Sequence, residues 1–260
     1  MRQLVLLKDI PNLTDITIDG ETRRPKTEGI KTKISDLDKR ALEAAILEKD
    51  KVGGEVVVLS MGDEKTKTAI LEALAMGADS AYIIIEPELK RVDTNATSKV
   101  LEAAIKQIGE YDLIISGEMT LDSLSSQIGP RLAELLNHPL VTYVKEYKLS
   151  PASVKAVRDL ASVDEVVEAP LPAVLTVVRE INEPRIPSLI NIMKAKKKLQ
   201  IIWTLADLGL SLDAVKAQSF VRIKDVKAPI VSRKQIVIEA DSVKEAAVKL
   251  AAVIKEEGVM

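Results

Sequence analysis

Hydroxyls, carboxylates and glycines crowd the stretch Ser116-Gly-Glu-Met-Thr-Leu-Asp-Ser-Leu-Ser-Ser-Gln-Ile-Gly-Pro130. It lies between an apolar run, Asp112 to Ser116, and a segment whose Ile128, Leu132, Leu135 and Leu136 fall on one helical face. A helix starting there aims unbonded backbone N–H groups and the positive end of its dipole outward, and the hydroxyls of Ser123, Ser125 and Ser126 can complete a phosphate cradle. The competing use of the same serines is to cap the helix. Asp122 admits two readings as well, a ribose ligand or base, or a cap. A single carboxylate with no second acid, histidine or metal cluster beside it does not make a catalytic centre. Met61-Gly62-Asp63 follows the strand-like VVVLS, where Gly62 lets a ligand approach the backbone closely, although any strand-to-helix turn looks like this. Ser35, just ahead of a helix predicted from Asp38, is either a nucleotide contact or a cap.

The elements that hold these residues follow from hydrophobic spacing. Gln3 to Leu7, Glu55 to Ser60, Ala81 to Ile85 and Asp112 to Ser116 are short and continuously apolar, the signature of strands buried on both faces. Between them, Asp38 to Glu48, Lys65 to Met76 and Asn95 to Ile108 carry apolar residues at helical spacing. Strand and helix in alternation predict a doubly wound, mostly parallel α/β sheet of Rossmann-like type, with ligands beyond the carboxyl ends of the strands. Val154 to Val178 reads as a hairpin or short antiparallel addition ending in a strand from Pro172 to Val178. Residues 1–212 form the expected nucleotide-binding domain. Residues 213–260 lack a crossover rhythm and end in an amphipathic helix from about Ser242 to Glu256, so they read as an arm that wraps a neighbour.

The chain of 260 residues is 47% hydrophobic and 29% charged with a formal net charge of −2, a balance that supports a packed core and gives no general pull toward nucleic acid. It has no cysteine and one histidine, His138. That excludes a thiolate nucleophile and cysteine-ligated metal, makes histidine metal sites improbable, and fits a reducing cytoplasm. No window reaches the roughly 20 apolar residues of a membrane-spanning helix, so an integral membrane protein is not expected. GxGxxG, GxxxxGK[ST] and SGGxDS-type loops are all absent, which argues against a conventional dehydrogenase, kinase or ATP pyrophosphatase.

Asn182-Glu-Pro-Arg-Ile-Pro-Ser-Leu-Ile-Asn-Ile-Met-Lys-Ala-Lys-Lys-Lys198 places two prolines before an apolar helical turn and a basic run. Pro187 suits a helix's first turn, and the lysines suit its carboxyl end. Such a segment is a connecting loop with a solvated basic finish unless its apolar residues are exposed, in which case it binds a partner.

At these residues the chain resembles the β subunit family of electron transfer flavoproteins. NEPRIPSLINIMKAKKK is similar to the family's NEPRYxxLPxIMKAKKK and follows LPAVLTV, as the family's LPAVVT precedes its own copy. ALAMGAD at Ala73 to Asp79 and the strand, loop and helix from Asp112 to Pro139 extend the likeness over about the first four-fifths of the chain. The resemblance implies a non-enzymatic electron-carrier subunit, paired as a heterodimer with an α subunit that carries redox FAD, taking electrons from flavin dehydrogenases and passing them to a quinone oxidoreductase. It implies a structural AMP in this subunit, or a second FAD in its place in electron-bifurcating relatives. The implied nucleotide contacts are Leu6, Ser35, Met61, Gly117, Asp122, Ser125, Ser126, Gln127 and Ile128. Leu189, with Ile190 and Met193, matches the loop that grips partner dehydrogenases. Departures concentrate in the pocket: Ser35-Asp36 stands where the family has Asn-Pro, GEMTLDSL where it has GKQAxDxD, and Leu124 where it has an acid. Readings from other classes are a stand-alone nucleotide hydrolase or ligase and a stress-type nucleotide-binding homodimer.

Overall fold

Alternate residues of one strand decide the layering. On β1 (Arg2–Leu7), Val5 and Leu7 point into one apolar cluster while Leu4 and Leu6 point into another. A strand buried on both faces needs a helical layer on each side. The computed structural model describes residues 1–259, Arg91 by its backbone alone.

After β1 come the short strands β2 (Asp9–Pro11), β3 (Thr17–Ile18), β4 (Pro25–Lys26) and β5 (Thr32–Ile34), paired as two small antiparallel ribbons, β2 with β5 and β3 with β4. The crossovers begin with α1 (Asp36–Val52), β6 (Glu55–Gly62), α2 (Thr66–Met76), β7 (Ser80–Ile85), α3 (Thr94–Ile108), β8 (Leu113–Gly117) and α4 (Ile128–Leu136). Then β9 (Leu140–Leu149), β10 (Ser153–Asp159) and β11 (Asp164–Pro170) form an antiparallel meander, and β12 (Ala173–Val177) returns to the sheet centre. The chain continues through α5 (Leu189–Ala195), β13 (Leu199–Trp203), α6 (Leu212–Ala217) and α7 (Val243–Glu256).

The nine-stranded sheet runs β11-β10-β9-β12-β8-β1-β6-β7-β13, with every pair from β9 to β13 parallel. Helices α1 and α2 cover the face of Val5 and Leu7; α3 and α4 cover the face of Leu4 and Leu6. This is the expected doubly wound α/β class. The strand expected from Pro172 is correctly placed in sequence, but it is not part of the antiparallel addition. It lies between β9 and β8, parallel to both.

Local chemistry explains the elements that frame the site. Helix α1 has Asp36 and Asp38 in its first turn, Lys49 and Lys51 in its last, and buried Ala41, Leu42, Ala45 and Ile46 along one side. The acids and lysines both complement its dipole. It ends at Gly53, whose φ of 78° is a conformation other residues adopt at a cost. From Gln218 to Ser242 there is neither helix nor strand, and none of α7 is buried. The start of this arm is tied down where the Asp93 carboxylate accepts the backbone N–H groups of Phe220 at 2.7 Å and Val221 at 2.9 Å. Farther on, the Ala228 N–H donates to the Arg23 carbonyl at 2.8 Å.

Candidate functional site: the crevice between β1 and β8

Chain order reverses at β1. The chain first moves outward through β6 and β7, then crosses back to lay β8 on the other side of β1. In a doubly wound sheet this switch point is where the loops part and leave a crevice at the carboxyl ends of the strands. A surface concavity of about 680 Å³ is lined by Met1, Arg2, Gly54, Glu55 and Glu110 to Asp112 at the amino ends of the strands. That is the opposite end from the crevice.

One buried carboxylate knits the crevice together. Asp38, in the first turn of α1, accepts the Lys8 N–H on Oδ2 and the Gly117 N–H on Oδ1, both at 3.0 Å. It thereby joins the first residue beyond β1 to the last residue of β8. Burial pushes the Asp38 carboxyl up to about 7, against the pull of those two amides. Lys8 then reaches across, its ammonium 2.6 Å from Asp122 in the loop after β8. Leu6, Ser35, Gly117 and Asp122 are all brought to this one point by the carboxyl ends of β1 and β8 and the start of α1. Met61 lies one strand over, at the carboxyl end of β6.

The loop from Glu118 to Gln127 is folded on itself. The Ser123 and Leu124 N–H groups donate to the Thr120 carbonyl at 3.2 and 2.8 Å. Leu124 and Ser126 hold φ values of 49° and 52°, a region uncommon for residues with a side chain. The Ser126 hydroxyl donates to the Glu118 carboxylate at 2.7 Å, and the Ser123 hydroxyl pairs with that of Thr120 at 3.0 Å. Gln127, the residue flanking α4, makes no side-chain cap. Its carbonyl oxygen Oε1 instead accepts from the Thr94 hydroxyl at 2.7 Å and the Arg131 Nε at 3.0 Å. Ser125 is half-buried behind it, and Ile128 opens the helix.

The capping alternatives therefore are not realised. Ser35 precedes α1 but forms no cap hydrogen bond, Asp122 pairs with Lys8 rather than with a helix, and the loop serines leave the α4 amino end uncapped. Three buried hydroxyls, Ser35 Oγ, Ser116 Oγ and Thr176 Oγ1, have no hydrogen-bond partner. Leaving a buried hydroxyl unmatched costs about 1–3 kcal/mol. Ser116 and Thr176 lie under the first turn of α4, since a methyl group on Gly129 would sit 2.4 Å from Thr176 Cγ2 and 3.4 Å from Ser116 Oγ. The unpartnered Ser35 hydroxyl, the uncapped α4 amides and the Lys8 ammonium form a donor set that fits the ribose and phosphate of a nucleotide, whereas Ser116 and Thr176 are covered by α4. Glu118 opposes this, because its carboxylate is buried and occupies Ser126. Sequence reasoning missed Asp38, Lys8 and Thr176, and marked Glu118 only as a departure from the family pattern.

The second candidate surface lies elsewhere on the molecule. Pro187 is not in the first turn of a helix: α5 begins at Leu189, and Ser188 caps it by accepting the Asn191 N–H. Ile192 and Ala195 pack against the core, while Leu189, Ile190 and Met193 are 81%, 65% and 71% exposed. Ile190, Met193, Lys194 and Lys197 line a groove of about 350 Å³. An exposed apolar set with a lysine rim is the condition under which this segment reads as a binding surface.

Comparison with known proteins identifies the family. The family described as "Electron transfer flavoprotein domain" matches residues 26–208. The chain is 39% identical over 207 residues to the electron transfer flavoprotein subunit beta of Thermoanaerobacterium thermosaccharolyticum, covering 80% of this chain and 79% of that one. It is 38% identical over 215 residues to the caffeyl-CoA reductase-Etf complex subunit CarD of Acetobacterium woodii, covering 82% of each. With the electron transfer flavoprotein subunit beta of Clostridium acetobutylicum it shares 35% identity over 261 residues, 99% of both chains. No helix among the described residues is long and apolar enough to cross a membrane. The chain belongs to the electron transfer flavoprotein β subunit family and is a component of an electron-carrying system.

Proposed function

We propose that the chain binds a structural AMP in the crevice between β1 and β8 and works as a heterodimer with an α subunit that carries FAD. The observation that carries the nucleotide reading is the uncapped amino end of α4 at the switch point, with the unpartnered hydroxyl of Ser35 and the Lys8 ammonium at the neighbouring strand end. A nucleotide held there has no redox role of its own; the redox flavin belongs to the partner subunit. In this chain Lys8 and the α4 amides hold its charge, and Ser35 and Asp122 lie where its ribose can be hydrogen-bonded. Electrons come from a flavin dehydrogenase and go on to a quinone oxidoreductase. Residues 213–260 form the arm that packs on the α subunit, supported by the exposure of Phe220, Val221, Ile223 and Ile230 and by the unburied α7.

The deciding experiment is mass spectrometry of the nucleotide released from the purified heterodimer. AMP at one per heterodimer, beside one FAD, is the expected result. Two FAD and no AMP would replace AMP by a second flavin, and no nucleotide beyond the α-subunit FAD would remove the pocket reading altogether.

Docking of the dehydrogenase is assigned to Leu189, Ile190 and Met193, whose lysine rim favours a partner pocket edged by carboxylates. The Acetobacterium woodii relative is, by its name, a subunit of an assembly of such a flavoprotein with a reductase. Leu189→Ala is expected to leave heterodimer and flavin content intact and to raise the KM for the dehydrogenase reaction, since losing an apolar anchor costs about 2 kcal/mol at a hot spot. An unchanged KM would take Leu189 out of the interface.

A further inference from the structure

Leu189, Ile190 and Met193 of α5 are exposed, yet the segment leading into them is fastened to two buried charges of α1. Glu43, on α1, is 3% exposed. Both its oxygens lie 2.9 Å from Arg185 Nε, and one also accepts the Arg185 backbone N–H at 3.1 Å. Nearly one turn earlier on the same helix, buried Arg40 donates to the Glu183 carboxylate at 3.0 and 3.1 Å and to the Arg179 carbonyl at 2.8 Å. Asn182 closes the set by donating to the Arg40 carbonyl at 3.0 Å.

The charges alternate along both partners. Helix α1 offers Arg40, then Glu43 and, 3.3 Å from the far end of Arg185, the exposed Asp50; the loop offers Glu183 and then Arg185. A two-residue slip of the loop in one direction sets Arg185 against Arg40; in the other it sets Glu183 against Glu43. Like charges would meet either way, and a buried charge without its partner is strongly destabilising. The pairing thus admits one register. Helix α5 needs this, because its seven residues are too few to be stable alone. Beyond it, Lys198 Nζ donates to the carbonyls of Leu74 and Ala78 at the end of α2.

We propose that Glu43 is a positioning residue for partner docking. It never meets the partner; it holds Arg185, so that Leu189, Ile190 and Met193 are presented already ordered and the partner does not bear the entropic cost of ordering them. The proposal rests on the docking reading above.

The test is Glu43→Gln in the complete heterodimer, read by hydrogen exchange and by kinetics with a flavin dehydrogenase that reduces the native heterodimer. Amides of residues 186–195 should exchange about tenfold faster while those of β1 and β8 do not change. The KM for the heterodimer should rise about fivefold with kcat unaltered, a split that a general loss of stability would not produce. Unchanged exchange and KM would overturn the proposal. Leu189→Ala separates the two ideas: if it raises KM and Glu43→Gln does not, the clamp alone fails, and if it leaves KM unchanged, the docking reading fails and takes the proposal with it. Should Glu43→Gln not assemble, Arg185→Lys keeps a cation beside Glu43 but removes the planar fork, and the same two measurements decide.

Discussion

Gly117→Ala should lower the stability of the chain by about 2–3 kcal/mol and abolish the proposed nucleotide binding in the crevice, although it adds a single methyl group. That methyl would stand 2.7 Å from Leu37 Cβ, 2.8 Å from Asp38 Oδ1 and 2.9 Å from the Asp38 backbone nitrogen. The last of these contacts is with main chain at the start of α1, so no side-chain rotation relieves it. Either α1 or the end of β8 must move, and either movement strains the bonds from Asp38 to Gly117 and Lys8. Displacing Lys8 also draws its ammonium from Asp122, so the loop after β8 loses its anchor. Denaturant midpoint and released nucleotide measure the two effects. A variant within about 0.5 kcal/mol of the parent that retains its nucleotide would show that the strand end and helix start can separate freely.

How much of this was legible in the sequence depended on whether the determining contact was local. The strands β1, β6, β7 and β8 are continuous apolar runs and were read to within about two residues, as boundaries usually are. Strand β13 was not read. It follows a lysine run, and as an edge strand it leaves Leu199, Gln200 and Ile202 exposed, so it has no two-sided apolar signature. In β9 burial alternates irregularly and Tyr143 takes a φ of 58°, which breaks the period-two pattern.

The site shows the same division. The loop after β8 was found because a buried run leads into a helix, a pattern contained in neighbouring residues. Asp38 was missed because an acid in a first helical turn already has an ordinary use, complementing the dipole. Its actual partner, Gly117, is 79 residues away. Glu43 and Arg185 are separated by 142 residues, and each reads alone as a charge on a solvated face. Family resemblance located the exposed residues of α5, but it carried no information on what fastens them.

Asp38→Asn should alter how stability depends on pH as well as stability itself. The folded carboxyl titrates at about 7 because it is buried, whereas in the unfolded chain it titrates near the ordinary value of about 3.9. Between those limits the native state holds a proton that the unfolded state has released. This group's contribution is therefore complete below about pH 4 and is lost progressively as pH rises through about 7. Asparagine has no such titration. Its carbonyl can serve one of the two backbone amides, Lys8 or Gly117, but its NH₂ group faces the other donor and leaves it unsatisfied, a loss of about 1–3 kcal/mol. A protonated Asp38 retains a lone pair on its hydroxyl oxygen and avoids that conflict. The variant should accordingly be less stable than the parent at pH 5, and the gap should narrow by pH 8 as the parent comes to carry a buried charge. Denaturant unfolding of both proteins at the two pH values measures this, and contributions from groups common to both cancel in the comparison. A gap of equal size at pH 5 and pH 8 would mean that Asp38 is already ionised throughout, held so by the two amides and by Lys8. The crevice would then carry a fixed negative charge at its base, and Lys8 would have to balance Asp38 and Asp122 together before it could serve a phosphate.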